Sequence, residues 1–321
     1  MKIMSFDIAR FFAIMFIVMC HYLANSGLNY SLGVLFGSVG NCMFFVLSAF
    51  LFGFKWSSNH KNRFGSDFII GRFMKLAASL YPFLFLLIIS FIIAKVDFEW
   101  FDIIMNYLFL GWFAKLPANG HLWFLTILII CYSFFLLFST GLLDRFANKW
   151  AWGGLFLVSI GAMFYVESKN MPEYAIPPLY FASLTFMHAP EIYGKIKKVP
   201  INIAIAQCLV VCGCIFIIYA TNDMTGYSKT MTTLLGTLCG LSVLILILSI
   251  NFQKEWWIVG FISSVSFEIY LVHHNFCQGY FSVFSCNLTY FESLLLLLFI
   301  SVSLSIFLKK LSVLFLRVVK K

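Results

Sequence analysis

Residues 6–22, FDIARFFAIMFIVMCHY, are apolar enough to lie in lipid, yet they carry an acid, a base and an imidazole: Asp7, Arg10 and His21. Ionisable groups inside a membrane span are costly and are functional by default. Arg10 and His21 are eleven residues apart. At about 100° per residue that is roughly 20° beyond three full turns, so in a helix both side chains share one face, about 16 Å apart along the axis. One face of the first helix therefore holds a fixed cation at one depth and a titratable ring at another.

The remainder of the chain asks for the same solvent. Hydrophobic residues make up 62% of the 321 and charged residues 11%, against roughly 45–50% and 25% in soluble domains. The expectation is an integral membrane protein of all-α class: a polytopic transmembrane helical bundle forming one membrane-embedded domain over 1–321, with no soluble extracytoplasmic domain. A ~30 Å hydrocarbon core takes about 20 residues of helix. Runs of that kind fall at 6–26, 32–54, 76–95, 121–140, 151–167, 176–190, 201–220, 231–250, 257–280 and 291–315, about ten spans. The run at 176–190 is the weakest, being short and opening on Pro177 and Pro178; residues 100–114 are apolar but too short to cross and suit a re-entrant or interfacial helix.

Lysine and arginine collect in cytoplasmic loops, and their distribution orients the bundle. With both termini cytoplasmic, Lys95, Lys115, Lys169 and Lys229 fall outside and Arg10 within a span. The rest of the 22 fall inside, among them Lys55, Lys61, Arg63, Arg145, the Lys195–Lys198 cluster and a basic tail that begins at Lys309 and Lys310. The net charge of +9 is then mostly topogenic and suits an anionic inner leaflet; it does not point to nucleic acid. The nine cysteines lie mainly in apolar runs and form no CxxC pair or His/Cys metal spacing, so no metal is expected. Cys277 and Cys286 are placed near the outer face, where a disulfide is open to them. The first run has no small-x-small cleavage site and reads as a retained span. No internal repeat of the transporter kind is visible.

In this topology Arg10 lies toward the cytoplasm and His21 toward the outside. His121 opens the fourth span at its outer end, and His273 and His274 lie near the outer end of the ninth, so three spans bring imidazoles to a similar depth. On the inner side Arg72 and Lys75 lead into the third span through GRFMKLAASLYP (71–82), close in depth to Arg10. Cations at cytoplasmic ends are also what topology alone requires, and for Lys75 that is explanation enough. Asp7, one turn before Arg10, is placed to pair with it.

Guanidinium groups hold phosphate through a planar fork of donors, and an imidazole can take a proton from a hydroxyl. A cytoplasmic acyl-coenzyme A with its phosphates at Arg10, Arg72 and Lys75 would extend its pantetheine arm inward, and its thioester would meet His21 and an alcohol arriving from outside. The chemistry so implied is acyl transfer across a membrane.

At these residues the chain resembles the acyltransferase-3 family of membrane acyltransferases, whose first span carries an Arg followed after ten residues by His. FDIARFFAIMFIVMCHY is similar to the family's opening block, FFVLSAFLFGF (44–54) to its FFVLSGFL, GRFMKLAASLYP to its Arg-rich lead ending in Tyr-Pro, and HLWFL (121–125) and SFEIYLVHHNF (266–276) to its HLWFL and SYxIYLxH blocks. The resemblance implies that His21 and Arg10 are the catalytic pair, that Arg10 and Arg72 bind the acyl-CoA donor, and that Ser48, His121, Trp123, Tyr270 and His273 line the site; the residues themselves add Lys75 to donor binding and Asp7 to the lining. Ala49 stands where the family has Gly, and the run TILIICY after His121-Leu-Trp lacks the Glu that many members carry there. Glu268 lies five residues from His273 and so faces another side of a helix; it is not assigned a role. Trp123, Trp256 and Trp257, at span ends, also suit an interfacial belt, and His188, beside Pro190, suits a structural role.

The implied activity is O-acetyl transfer from cytoplasmic acetyl-CoA to a hydroxyl of a cell-surface glycan (O-antigen, capsule or exopolysaccharide), in a multi-pass protein of the bacterial cytoplasmic (inner) membrane. No cofactor is bound permanently, since acetyl-CoA is a substrate. The partners are that donor, a lipid-linked or surface polysaccharide acceptor and membrane lipid, with a homo-oligomer left open. His21 acts as general base, or an acetyl-histidine forms. A transporter or flippase for a lipid-linked glycan or small anion, and a scaffold within a polysaccharide-assembly complex, are the alternatives from other classes.

Overall fold

The computed structural model describes residues 3–58, 66–139, 149–168, 176–221 and 229–319. The loop cations Lys2, Lys61, Arg63, Arg145, Lys169, Lys320 and Lys321, which enter the topology count, lie outside the described residues. Within them the chain forms α1 (Met4–Ser26), α2 (Tyr30–Ser58), α3 (Ser66–Ala94), α4 (Trp100–Tyr107), α5 (Trp123–Ser139), α6 (Lys149–Ser168) and α7 (Ile176–Lys197). There follow α8 (Ile201–Thr221), α9 (Lys229–Ser249), α10 (Trp257–Ser264), α11 (Ser266–Val272), α12 (His274–Cys277) and α13 (Tyr290–Val319). No strand occurs among the described residues, and the all-helical class expected from composition holds.

Among the described residues seven helices are long and apolar enough to cross a membrane: Met4–Ser26, Tyr30–Ser58, Ile70–Ala94, Gly120–Leu137, Ile201–Tyr219, Thr230–Ser249 and Tyr290–Val319. Each answers to one of the predicted spans. The other three are shorter, bent or divided. The run 151–167 is a helix whose apolar stretch, Trp152–Tyr165, is shorter. The run 176–190 continues to Lys197 but is bent at His188, where φ is −120°, because Pro190 has no N–H for the turn before it and its ring crowds that turn.

The run 257–280 is divided: α10 and α11 are parted at Val265, where φ is −110°, while α11 passes into α12 through His273, whose φ of −59° and ψ of −34° stay helical. The apolar run 100–114 is helical only to Tyr107. Phe109 then takes a positive φ of 61°, and the Asn106 amide turns back to donate to the Asp102 and Ala114 carbonyls at 2.8 and 3.0 Å. α13 carries Lys309 and Lys310 inside a helix that ends at Val319, not in a tail. Cys277 and Cys286 are both free thiols.

The chain divides into two compact units, Met1–Phe64 with Ser133–Ser263, and Gly65–Tyr132 with Ser264–Lys321. In the first, α2 is the central element, packing on α1, α7 and α9. Small residues let the backbones approach, the usual device where lipid offers no hydrophobic drive between helices. A β-carbon at Gly40 would lie 2.8 Å from the Ala13 carbonyl oxygen of α1, and one at Gly53 would lie 2.5 Å from the Phe186 carbonyl oxygen of α7. Pro190, four residues after Phe186, brings no N–H to that carbonyl, so the bend in α7 and the glycine in α2 meet at one place. Phe6, Phe50, Phe54 and Tyr193 close the same core with ring centroids 5.4 to 6.3 Å apart. Three thiols also gather between α8 and α9: Cys212 Sγ is 3.8 Å from Cys208 Sγ and 3.0 Å from Cys239 Sγ.

In the second unit α3 packs on α13 and α4, and α11 packs on both α3 and α13. Large apolar side chains such as Phe85, Ile92, Phe299 and Phe307 stay exposed on α3 and α13. A helix left apolar on its outer face in this way is suited to lipid.

Candidate active site

In the first unit the site begins on α1. Asp7 is three residues before Arg10, the spacing at which helix side chains meet, and Arg10 Nη1 donates to Asp7 Oδ1 at 3.1 Å. The same oxygen accepts from Ser263 Oγ at 2.9 Å. Asp7 is thus held by its own helix and by α10, and it fixes the guanidinium in turn. The pair is partly buried, with side-chain exposures of 30% for Arg10 and 13% for Asp7.

His21 lies eleven residues further along the same unbroken helix and is half-buried. Its neighbour Cys20 is directed at α2, where a β-carbon on Gly37 would meet Cys20 Sγ at 2.7 Å. One residue on, the imidazole is turned about 100° from that contact. Ser48, on α2, is half-buried, while Ala49 is fully buried. The methyl group that stands where the family has glycine is therefore accommodated, and a close approach of α2 to the α7 backbone lies four residues later, at Gly53.

In the second unit the fourth and ninth predicted spans do bring their imidazoles together. His121 and His273 are buried with ring centroids 5.5 Å apart, and Tyr270 is 5.0 Å from His121. The Tyr270 hydroxyl donates to the His121 carbonyl. His274, to which the sequence assigned no part, stacks on His121 at 4.5 Å with the rings 16° from parallel. Carbonyl oxygens only accept, so the tautomers follow from the partners. His274 Nδ1 donates to the Ala118 carbonyl at 2.6 Å and His273 Nδ1 to the Ile269 carbonyl at 3.0 Å. A reciprocal amide pair then ties the loop to α12: Asn119 Nδ2 donates to Asn275 Oδ1 at 2.8 Å, and Asn275 Nδ2 to Asn119 Oδ1 at 3.0 Å. Trp123 is half-buried and edges against Trp112 at 6.3 Å.

Arg72 and Lys75 lie on the early turns of α3, Arg72 half-buried and Lys75 exposed. Two turns beyond Arg72, on nearly the same face, Ser79 Oγ donates to Glu268 Oε1 at 2.8 Å. Lys309 Nζ reaches that oxygen from α13 at 3.1 Å. Sequence reasoning passed over Ser263, Asn119, Asn275, Ser79 and Lys309 and placed His274 only by its depth, because each acts through a partner far away in the chain. A weak signal existed for Lys309 alone, a lysine inside a predicted apolar helix. Among the described residues no three His, Cys, Asp or Glu side chains converge as metal ligands.

No curated protein and no solved structure matches the chain. The sequence profile of an acyltransferase domain, that of the acyltransferase-3 family, matches residues 3–310. That match takes in every residue placed above: the Asp7–Arg10 pair and His21 on α1, the His121 loop, and the Glu268 and Lys309 helices. The chain belongs to the acyltransferase-3 family of membrane acyltransferases.

Proposed function

We propose that the protein moves an acetyl group from cytoplasmic acetyl-CoA to a hydroxyl of a cell-surface glycan, in the bacterial inner membrane, with His21 and Arg10 as the catalytic pair. The observation that carries this reading is the Arg10 guanidinium, pinned by Asp7 at 3.1 Å on the helix face it shares with His21. A cation inside a span, fixed in direction and part-exposed, suits an anionic ligand.

In this mechanism Arg10, Arg72 and Lys75 bind the donor's phosphates. His21 takes the proton of the acceptor hydroxyl as its oxygen attacks the thioester carbonyl carbon. The C–O bond forms, the C–S bond breaks, and the CoA thiolate leaves; the proton held on His21 is then released, so the net products are an acetyl ester and CoA-SH. General-base catalysis of this kind contributes roughly 10²–10⁴-fold. His121, His273, Tyr270, Trp123 and Ser48 line the site.

Inside-out membrane vesicles carrying the protein and its glycan acceptor, given acetyl-CoA labelled in the acetyl group, test the direction of transfer. The expected result is alkali-labile label on polysaccharide, with free CoA thiol released in equal amount. Label in the glycan without thiol release, or thiol release with water as the only acceptor, contradicts the proposal.

A further inference from the structure

Glu268 is 1% exposed, and its Oε1 takes both available donors, Ser79 Oγ and Lys309 Nζ. Its other oxygen, Oε2, is buried and has no hydrogen-bond partner. A buried acceptor without a donor carries the desolvation penalty of that group, and a buried ion pair is poor evidence for stability. The Lys309 side chain is 44% exposed, so its ammonium has donors to spare. The cluster thus offers one unmet acceptor beside one open donor, at nearly zero net charge. A phosphate does not fit that pattern, because the unpartnered carboxylate oxygen would repel it. A secondary amide does: its carbonyl accepts from Lys309 Nζ, and its N–H donates to Glu268 Oε2.

Position narrows the source of the amide. Ser79, which anchors Glu268, lies seven residues beyond Arg72 on α3, about 10.5 Å along the axis and about 20° from it in direction. A donor whose phosphates sit at Arg72 would carry its pantetheine arm, with its secondary amides, past this point. We propose that Glu268 and Lys309 form a subsite that takes a secondary amide of the donor's pantetheine arm. The inference rests on acyl-CoA being the donor. An N-acetyl group on the acceptor glycan offers the same chemistry, and the test separates the two.

The experiment measures equilibrium binding of three probes, CoA, pantetheine and N,N′-diacetylchitobiose, to the full chain in maltoside micelles. The double variant Glu268→Leu/Lys309→Met removes both charges together, so no lone ion is left buried, and Lys309→Gln is carried as a second variant. Loss of a charge-assisted hydrogen bond predicts roughly tenfold weaker binding of both CoA and pantetheine in either variant. Arg72→Gln weakens CoA alone, and Lys310→Met, one residue away on the exposed side, changes neither. Unchanged pantetheine binding in both Glu268/Lys309 variants overturns the proposal. Weakened binding of the chitobiose probe alone assigns the amide to the acceptor and overturns it as well. A wild-type protein that binds pantetheine but not CoA contradicts the donor phosphate site while leaving the amide subsite standing; one that binds neither defeats both.

Discussion

The two ion-paired carboxylates, Asp7 and Glu268, solve similar problems in opposite ways. Asp7 finds its cation three residues away on one helix and needs α10 only for a supporting hydroxyl. Glu268 gathers a hydroxyl from 189 residues away and an ammonium from 41 residues away, and still leaves one oxygen without a donor. The first pair is local, half-open and cheap, because neither charge is fully taken from water. The second is long-range and one-sided, with a carboxylate 1% exposed against a lysine 44% exposed, so the carboxylate depends on partners that arrive only when three helices have packed. The contrast separates a pair that orients a reactive cation from a pair that couples helix packing to ligand contact.

If that distinction is sound, breaking each pair moves different observables. Arg10→Ala carries the largest effect on rate, an expected fall in acetyl transfer of about 10³-fold, or roughly 4 kcal/mol of barrier. It changes the thermal midpoint little, since a part-exposed pair contributes about 0.2–1 kcal/mol. Rates on vesicles and a thiol-reactive melting assay, which the nine free cysteines permit, read both quantities. Lys309→Ala reverses the order. Stability falls by roughly 2–3 kcal/mol, below the 3–5 of a fully buried pair because Lys309 is 44% exposed, while transfer falls only about tenfold.

The serines sharpen the comparison at smaller scale. Ser79→Ala withdraws one of two donors from a buried carboxylate and costs about 1–2 kcal/mol, read as a lowered melting midpoint with the turnover number unchanged. Ser263→Ala withdraws the second donor from Asp7, which still holds Arg10, and costs about 1 kcal/mol or less. Its signature is a several-fold lower rate at saturating donor, with the melting midpoint nearly unmoved. Equal stability losses in the two serine variants would remove the difference drawn between the pairs.

What the sequence disclosed follows the range of the interactions. Among the described residues, the seven helices long and apolar enough to cross were legible because hydropathy over about 20 residues is a local property. So was the Asp7–Arg10 contact, because i,i+3 spacing alone dictates it. The meeting of His121 with His273 was legible only as a shared depth, and the stacking of His274 on His121 was not, because it depends on how the run 257–280 breaks. A period of 3.6 predicts one continuous helix there, whereas the helix breaks at Val265 and the Asn119–Asn275 amide pair ties α12 to the His121 loop. Glu268 was visible as an acid in a span but was judged only against His273, five residues away. Its actual partners, Ser79 and Lys309, come from other helices and leave no spacing to read. The bend in α7 lay between these cases, since Pro190 announced it and Gly53 accommodates it.

The most direct test of the central claim is the amount of alkali-labile acetyl on surface polysaccharide, measured by proton NMR in cells expressing wild type or His21→Ala at matched membrane levels. With His21 as the base on the acceptor hydroxyl, wild type shows acetyl resonances that vanish on mild alkali and His21→Ala falls to background. Acetyl esters persisting in His21→Ala, at or near the wild-type level, would contradict the account.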